Sequence, residues 1–457
     1  MRKILLAAIF VVSVVSSYAQ QQWDSLYADI LANIQEPQFA ERVYLITKYG
    51  ASQKDNGRKN QKAIQKAIDR CSADGGGKVV VPAGLWMTGA LTLKDNVCIC
   101  LEEGATLRFA FDTSLYPNVM TRWEGVDCIN YQPLIYASHS RNIGIKGKGV
   151  IDGNGSKETW WGMTGYDWWG WHDGMENARQ GSRDRLLKMA EDGVPAEQRV
   201  FGSGEGLRPQ LINFYQCEGI ILEDVKVIDS PFWVIHPLLS KNIILRNVTV
   251  WNEGPNGDGC DPESCEYILI EGCRFHTGDD CIAIKAGRNA DGRRWARPTQ
   301  NMIVRNCEME DGHGAVVVGS EVSGGCRNVL VENCRMDSPK LDRVIRIKTN
   351  SCRGGVIENI FVRDCTVGQC KESVLKVNLD YDPKEQCCRG YKPVVRNVWM
   401  QDVTCNKSKY GVMVVGFTDT ENVSDITLRD CKFNVSDENI KVTGKMGNLS
   451  LDNVSFK

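Results

Sequence analysis

"NMIVRNCEM" at 301–309 and "NVLVENCRM" at 328–336 are one phrase written twice. The pattern returns as "GIILEDVKV" at 219–227, "NIILRNVTV" at 242–250, "YILIEGCRF" at 267–275, "NIFVRDCTV" at 359–367, "NVWMQDVTC" at 397–405, "DITLRDCKF" at 425–433 and "NLSLDNVSF" at 448–456. Each copy carries a short apolar strand, a polar pair suited to a tight turn, and a seventh position that is always Val or Cys. Strands recurring at such intervals mark a solenoid, in which no unit is long enough to bury its own apolar face and stacking must do it. Alternation with period two and tight polar turns exclude a helical solenoid. The expected fold is all-β, a single-stranded parallel β-helix.

The chain has 19 cysteines, which would ordinarily suggest a disulfide framework in an exported protein. Their interchange with valine argues otherwise, because a free cysteine packs like a small hydrophobe. Val225, Val248, Cys273, Cys307, Cys334, Cys365 and Cys431 are therefore expected to stack as one buried ladder. Cys98, Cys100, Cys387 and Cys388 lie outside it and are left open to pairing. Zinc-type cysteine pairs are absent and the 5 histidines are scattered, so neither a metal nor a cofactor is expected.

Residues 1–19, "MRKILLAAIFVVSVVSSYA", have the basic start, apolar core and small-residue end of a signal peptide, with cleavage near Ala19. Export to the periplasm or the outside is expected, with no membrane partner afterwards. Residues 20–43 read as a lead-in and 44–457 as one domain. A formal net charge of −2 argues against nucleic acid as a partner. "NQKAIQKAIDRCSADGGGKVVVPAG" reads as an amphipathic helix, a glycine turn and a strand, a short N-terminal helical cap on the first coil.

The chemistry concentrates in "NGDGCD", "TGDDCIAIK", "GHG" and "RIK". Asp279 and Asp280 are adjacent, and Asp258 falls about one coil earlier. Equivalent positions in successive coils lie roughly 4.8 Å apart, so three carboxylates meet on one face. Glycosidic hydrolysis needs an acid for the leaving oxygen and a carboxylate for water or carbon. His313 follows one coil on, and Arg346 and Lys348, two residues apart, share a strand face. Two cations beside an acidic cluster suit an anionic sugar, and galacturonate is one.

"ITKYGA", "GGGKVVVPAG" and "LEEGATL" resemble the opening segment of the pectin-lyase-type right-handed β-helix superfamily. "GVIDGNG", "SPFWVIHP", "NGDGCDPES", "TGDDCIAIKAG", "DGHGAVVVGSE" and "RVIRIKTN" resemble, in order, the signatures of glycoside hydrolase family 28, the polygalacturonases. The resemblance runs from about Tyr44 to Ser351. It implies a pectic polysaccharide or galacturonate oligosaccharides as substrate and an inverting mechanism. Asp279 becomes the general acid, Asp258 and Asp280 the residues that position water, and His313 the support of the acid's protonation. Arg346 and Lys348 bind the substrate carboxylate, with Asn256 and Tyr381 also in the site. One departure stands out: Gly257 occupies a place where many members carry Thr.

Three features remain open at this level. His236, in "FWVIHP", fits structural support and substrate contact equally. "TWWGMTGYDWWGWHDG" at 159–174 either fastens a loop or lines a sugar subsite, with fastening preferred. The charged stretch after it reads as a helical excursion forming one wall of a cleft, which favours attack on chain ends over internal attack. A rhamnogalacturonan or side-chain hydrolase, a calcium-dependent pectate lyase and a non-catalytic adhesin are the alternatives on the same scaffold.

Overall fold

The computed structural model describes residues 21–457, and the expected signal peptide lies outside them. Among the described residues the strands form the expected right-handed parallel β-helix. Parallel sheets of 13, 16 and 4 strands run along its length, and each strand pairs with its counterpart one coil away. The repeated phrase superimposes position by position: Ile268 pairs with Met302, Met302 with Val329, and Val329 with Ile360.

The polar sixth position has a conformational reason. From Asp224 to Asn453 this residue has a φ between 48° and 65° in all nine copies. Left-handed backbone is costly for most residues and tolerated by Asn, Asp and Gly, the types found there. The side chains also stack: Asn333 Nδ2 donates to Asn306 Oδ1 at 2.6 Å, and Asn247 to Asp224 at 3.0 Å.

Past the corner, the seventh position turns inward. Val225, Val248 and the five ladder cysteines are each at most 2% exposed, and all five thiols are free. The Sγ atoms of Cys307, Cys334 and Cys365 each donate at 3.2 Å to the carbonyl two residues back, which satisfies the weak S–H donor within its own corner. The one disulfide among the described residues, Cys352–Cys387, lies off the ladder, while Cys98 and Cys100 remain thiols 3.6 Å apart.

Strict alternation does not hold in these strands. Positions two and four face the coil interior, but position three is apolar as well and faces out, at Leu269, Ile303, Leu330, Phe361 and Trp399. This outer stripe needs a cover. Helix α1 (residues 21–33) lies across it through Trp23 and Ile30, both fully buried, so the lead-in is part of the packed domain. Helix α2 (Arg58–Ala73) is the N-terminal cap and buries Ile64, Ala67, Ile68 and Cys71.

A wall rises beside the coil. It combines an antiparallel hairpin, Asn118–Trp123 with Val126–Tyr131, with helices α3 (Ser182–Glu191) and α4 (Asn289–Trp295). α3 is the anticipated excursion, whereas the hairpin is new. Their own small core includes Trp123, Cys128, Leu186 and Phe232. Buried ion pairs brace the wall and tie it to the coil: Arg122 bridges Asp127 within the hairpin at 2.7 Å and Glu263 of the coil at 2.9 Å, and Arg199 pairs with Asp291 of α4 at 2.5 Å.

Candidate active site

The candidate site lies on a stack of strands in tight register. Ile282 pairs with Val316 and Val316 with Ile345; one column holds Ala283, Val317 and Arg346, and another holds Gly319 and Lys348. Asp258, Asp280 and Gly314 enter successive coils at equivalent places, through Gly259 N to Asp280 O at 3.0 Å and Cys281 N to Gly314 O at 2.8 Å. Glycine at 314 has a local reason: a Cβ there would lie 2.4 Å from Val317 Cγ2 and 3.3 Å from Asp280 Oδ1. Its absence leaves Arg346 a path to Asp280.

All eight residues singled out from the sequence come to this place. Asp279 accepts from His313 Nδ1 at 2.9 Å, and its side chain is 22% exposed at the cavity surface. Asp280 is fully buried and held by Lys348 Nζ at 2.6 Å and Arg346 Nη1 at 3.4 Å. Arg346 and Lys348 therefore share a strand face, as their spacing requires, and both meet Asp280. Tyr381 lies over them, 5.6 Å from Arg346 and 5.4 Å from Lys348. Asn256 lines the cavity with a φ of 53°.

Sequence reasoning missed a second layer. Lys285 is buried behind Asp258, 3.4 Å from its Oδ2, 3.1 Å from Glu321 and 3.8 Å from Asp261. Asp261 is fully buried and its oxygens accept no hydrogen bond among the described residues. Asp261 and Lys285 sat inside the quoted motifs, at +3 from Asp258 and +5 from Asp280, and the signal for Lys285 was that it follows Ala283 by two residues as Lys348 follows Arg346, in the same column of strands. Tyr381 reaches the site on a loop tied by Cys352–Cys387 and by Glu385, which takes Arg288 at 2.8 Å and Arg353 at 2.7 Å.

The protons are unevenly distributed. Burial, reinforced by the charge of Asp279, pushes the Asp258 carboxyl up to about 7. Burial, together with the charge of Asp258, raises Asp261 well above the carboxylate range. Burial also acts against ionisation of Asp279, but the hydrogen bond and charge of His313 outweigh it and hold this carboxyl below the usual range. The same hydrogen bond raises His313. At rest, then, the proton beside Asp279 belongs to His313, within one hydrogen bond of the acid.

His236 is structural. It is fully buried, with Nε2 2.8 Å from Glu263 and Nδ1 3.1 Å from Asn213, and burial lowers its pKa. The tryptophan segment divides its work. Trp160 is wholly buried edge-on to Phe111 and Tyr116, fastening the loop, while Tyr166 and Trp169 line the cavity. At Gly257 a Cβ would lie 2.5 Å from Asn252 Nδ2, a buried donor without an acceptor among the described residues. A side chain at 257 would also press within 2.6 Å of the Gly254 carbonyl, so this backbone calls for glycine there.

Two adjoining cavities, about 740 and 220 Å³, share Glu124, Arg183, Asn256, Asp279 and His313. The larger extends under the wall toward Tyr166, Trp169 and Arg208; the smaller contains Asp258, Lys348 and Tyr381.

Residues 202–454 match the family model described as glycosyl hydrolases family 28. The chain is 30% identical over 324 residues to a probable polygalacturonase of Vitis vinifera, covering 68% of this chain and 58% of that protein. It is also 30% identical over 392 residues to an exo-poly-alpha-D-galacturonosidase of Dickeya chrysanthemi, covering 79% and 63%. It thus spans about three fifths of the length of these two curated relatives. A hyperthermoactive exopolygalacturonase from Thermotoga maritima superimposes with a TM-score of 0.89 at 39% identity, covering 95% of this chain and 96% of that one. With the carboxylates, His313 and the cation pair on the coils that the family's motifs imply, and over half of the chain matched by its model, the chain belongs to glycosyl hydrolases family 28.

Proposed function

We propose that this protein is an exported, exo-acting polygalacturonase that hydrolyses α-1,4-galacturonosidic bonds at chain ends with inversion. The observation that carries the reading is the placement of Asp279 and His313 at the junction of the two cavities, with Asp258 buried beside them. Asp279 protonates the leaving oxygen, and its proton comes from His313 Nδ1. That transfer turns an ion pair into a neutral pair, and a bound glycan that excludes water favours it.

Asp258 and Asp280 orient the attacking water. Inversion calls for roughly 6.5–9.5 Å between acid and base carboxyls, to leave room for that water. Asp258, raised by burial, is the stronger base once ionised, while Asp280 is fixed by Lys348 and Arg346. Two cations face one carboxylate there, and the surplus charge draws the substrate carboxylate toward Arg346 and Tyr381. End-on attack is supported by the wall over the larger cavity and by likeness to enzymes named as exo-acting.

A calcium-dependent lyase is less well supported. Calcium needs six or more oxygen ligands, about as many as a whole binding loop supplies, and the oxygens of Asp280 are already taken by cations.

The test is to incubate the mature chain with polygalacturonic acid and short oligomers and to resolve the products by anion exchange. Saturated monogalacturonate from the first minutes is expected. A spread of saturated oligomers would overturn the exo assignment, and unsaturated products would overturn hydrolysis. Turnover on rhamnogalacturonan fragments alone would move the substrate, and binding without turnover would leave an adhesin.

A further inference from the structure

Arg208 lies on the wall side of the larger cavity, 3% exposed. Its guanidinium is held from behind. Nη1 donates to the carbonyls of Pro231 at 2.6 Å and Pro255 at 2.9 Å, Nη2 donates to Asn256 Oδ1 at 2.7 Å, and the group lies 5.2 Å from the Phe232 ring centre. All three acceptors are neutral.

No carboxylate pairs with Arg208 among the described residues. Glu124, whose charge reaches it, is already spanned by Arg183 at 2.8 Å and Arg288 at 3.0 Å. The other buried cations of the site differ: Lys285 has Glu321, Lys348 has Asp280, and Arg353 has Glu385. Burial without a counter-charge pushes Arg208 down to about 9. An unpaired buried charge is costly, and a clamp on carbonyl oxygens does not require one.

The donors left over match a carboxylate. Arginine has five N–H groups, and three are engaged. Nε and one Nη2 hydrogen have no acceptor among the described residues, and two such donors are what a carboxylate takes in a bidentate pair.

We propose that Arg208 is a second carboxylate-recognition residue, binding the acid group of the galacturonate ring on the wall side of Asp279, across the scissile bond from the ring held at Arg346 and Lys348. Arg208 lines the larger cavity and Lys348 the smaller, with Arg346 beside Lys348 on Asp280, and the two cavities adjoin at Asp279 and His313, which places one carboxylate site on each side of the acid. Recognition on both sides makes two consecutive unesterified galacturonates the minimal substrate. This rests on the reading of the chain as a galacturonan hydrolase.

The experiment uses the full mature chain carrying Asp279→Asn, so that ligand survives, titrated calorimetrically with digalacturonate and with its two singly methyl-esterified forms. Each ester is expected to weaken binding at least tenfold. Arg208→Lys, added to this background, should weaken digalacturonate tenfold or more and erase the penalty of one ester only, the one that Arg346→Gln leaves intact. Unchanged affinity in Arg208→Lys, or erasure of the same ester penalty by both variants, would overturn the proposal. If Arg208→Lys does not fold, Arg346→Gln decides by itself: a surviving ester penalty supports a second site, and loss of both penalties refutes it. No binding of digalacturonate to the Asp279→Asn chain would overturn the galacturonan reading as well, whereas binding indifferent to Arg208 would overturn this inference and leave that reading standing.

Discussion

Replacing Asp258 by asparagine should make the protein more stable while abolishing hydrolysis. Burial and the charge of Asp279 push this carboxyl up to about 7 in the folded chain, against an ordinary 3.8. Between those values the folded state binds more protons than the unfolded state, so stability falls as pH climbs through the window. At 1.36 kcal/mol per unit, the ionised carboxylate costs about 4 kcal/mol of folding free energy once pH exceeds both values. Asparagine imitates the neutral acid and carries no such cost.

Lys285 tempers nothing further, because its attraction already acts against the rise, and in the variant it keeps Glu321 at 3.1 Å. Equilibrium urea unfolding at pH 4, 6 and 8 is the assay. Asp258→Asn should match the parent near pH 4 and exceed it by about 4 kcal/mol at pH 8. A gap independent of pH, or a variant less stable at pH 8, would refute the reasoning, since it would mean that Asp258 is well satisfied as a carboxylate and stores no basicity.

Other consequences are as direct. His313→Gln removes the proton store beside Asp279, so the alkaline limb of kcat/KM should move toward acid. The sign follows from the raised His313 pKa: the parent keeps that proton above the usual histidine range, and glutamine holds none. An unmoved limb would remove His313 from proton supply. Cys387→Ser frees the loop that carries Tyr381, and KM for acidic oligomers should rise about threefold or more with kcat within about twofold; equal KM values would show that Glu385 suffices to hold the loop. Cys334→Val should cost less than about 1.5 kcal/mol in urea unfolding, because Val225 and Val248 fill the same rung, whereas Cys334→Leu should cost about 1–3 kcal/mol by overpacking.

Some site features were within reach of the sequence and others were not. Strand period alone put Arg346 and Lys348 on one face, and they are there, because a strand's geometry is local. That both hold Asp280 depends on Gly314 leaving the space open, one coil between. The outward stripe from Leu269 to Trp399 was visible as three apolar residues in a row, yet its partner lies some 240 residues earlier or more, in α1. Arg208 had no signal of its own, since its neighbours come from two separate segments, 231–232 and 255–256.

By itself the sequence determined the coil. A repeat reports what every rung must do, and each requirement is short-range: a left-handed residue at the corner, a small apolar group behind it, and a strand between. It also determined which coils carry the acids, the histidine and the cations. Only the tertiary structure decided which carboxyl holds a proton, which cations are already paired and where the cavity is closed. Protonation depends on burial and on charges contributed by distant segments, and the wall is built from insertions that do not repeat, so no period in the chain encodes them.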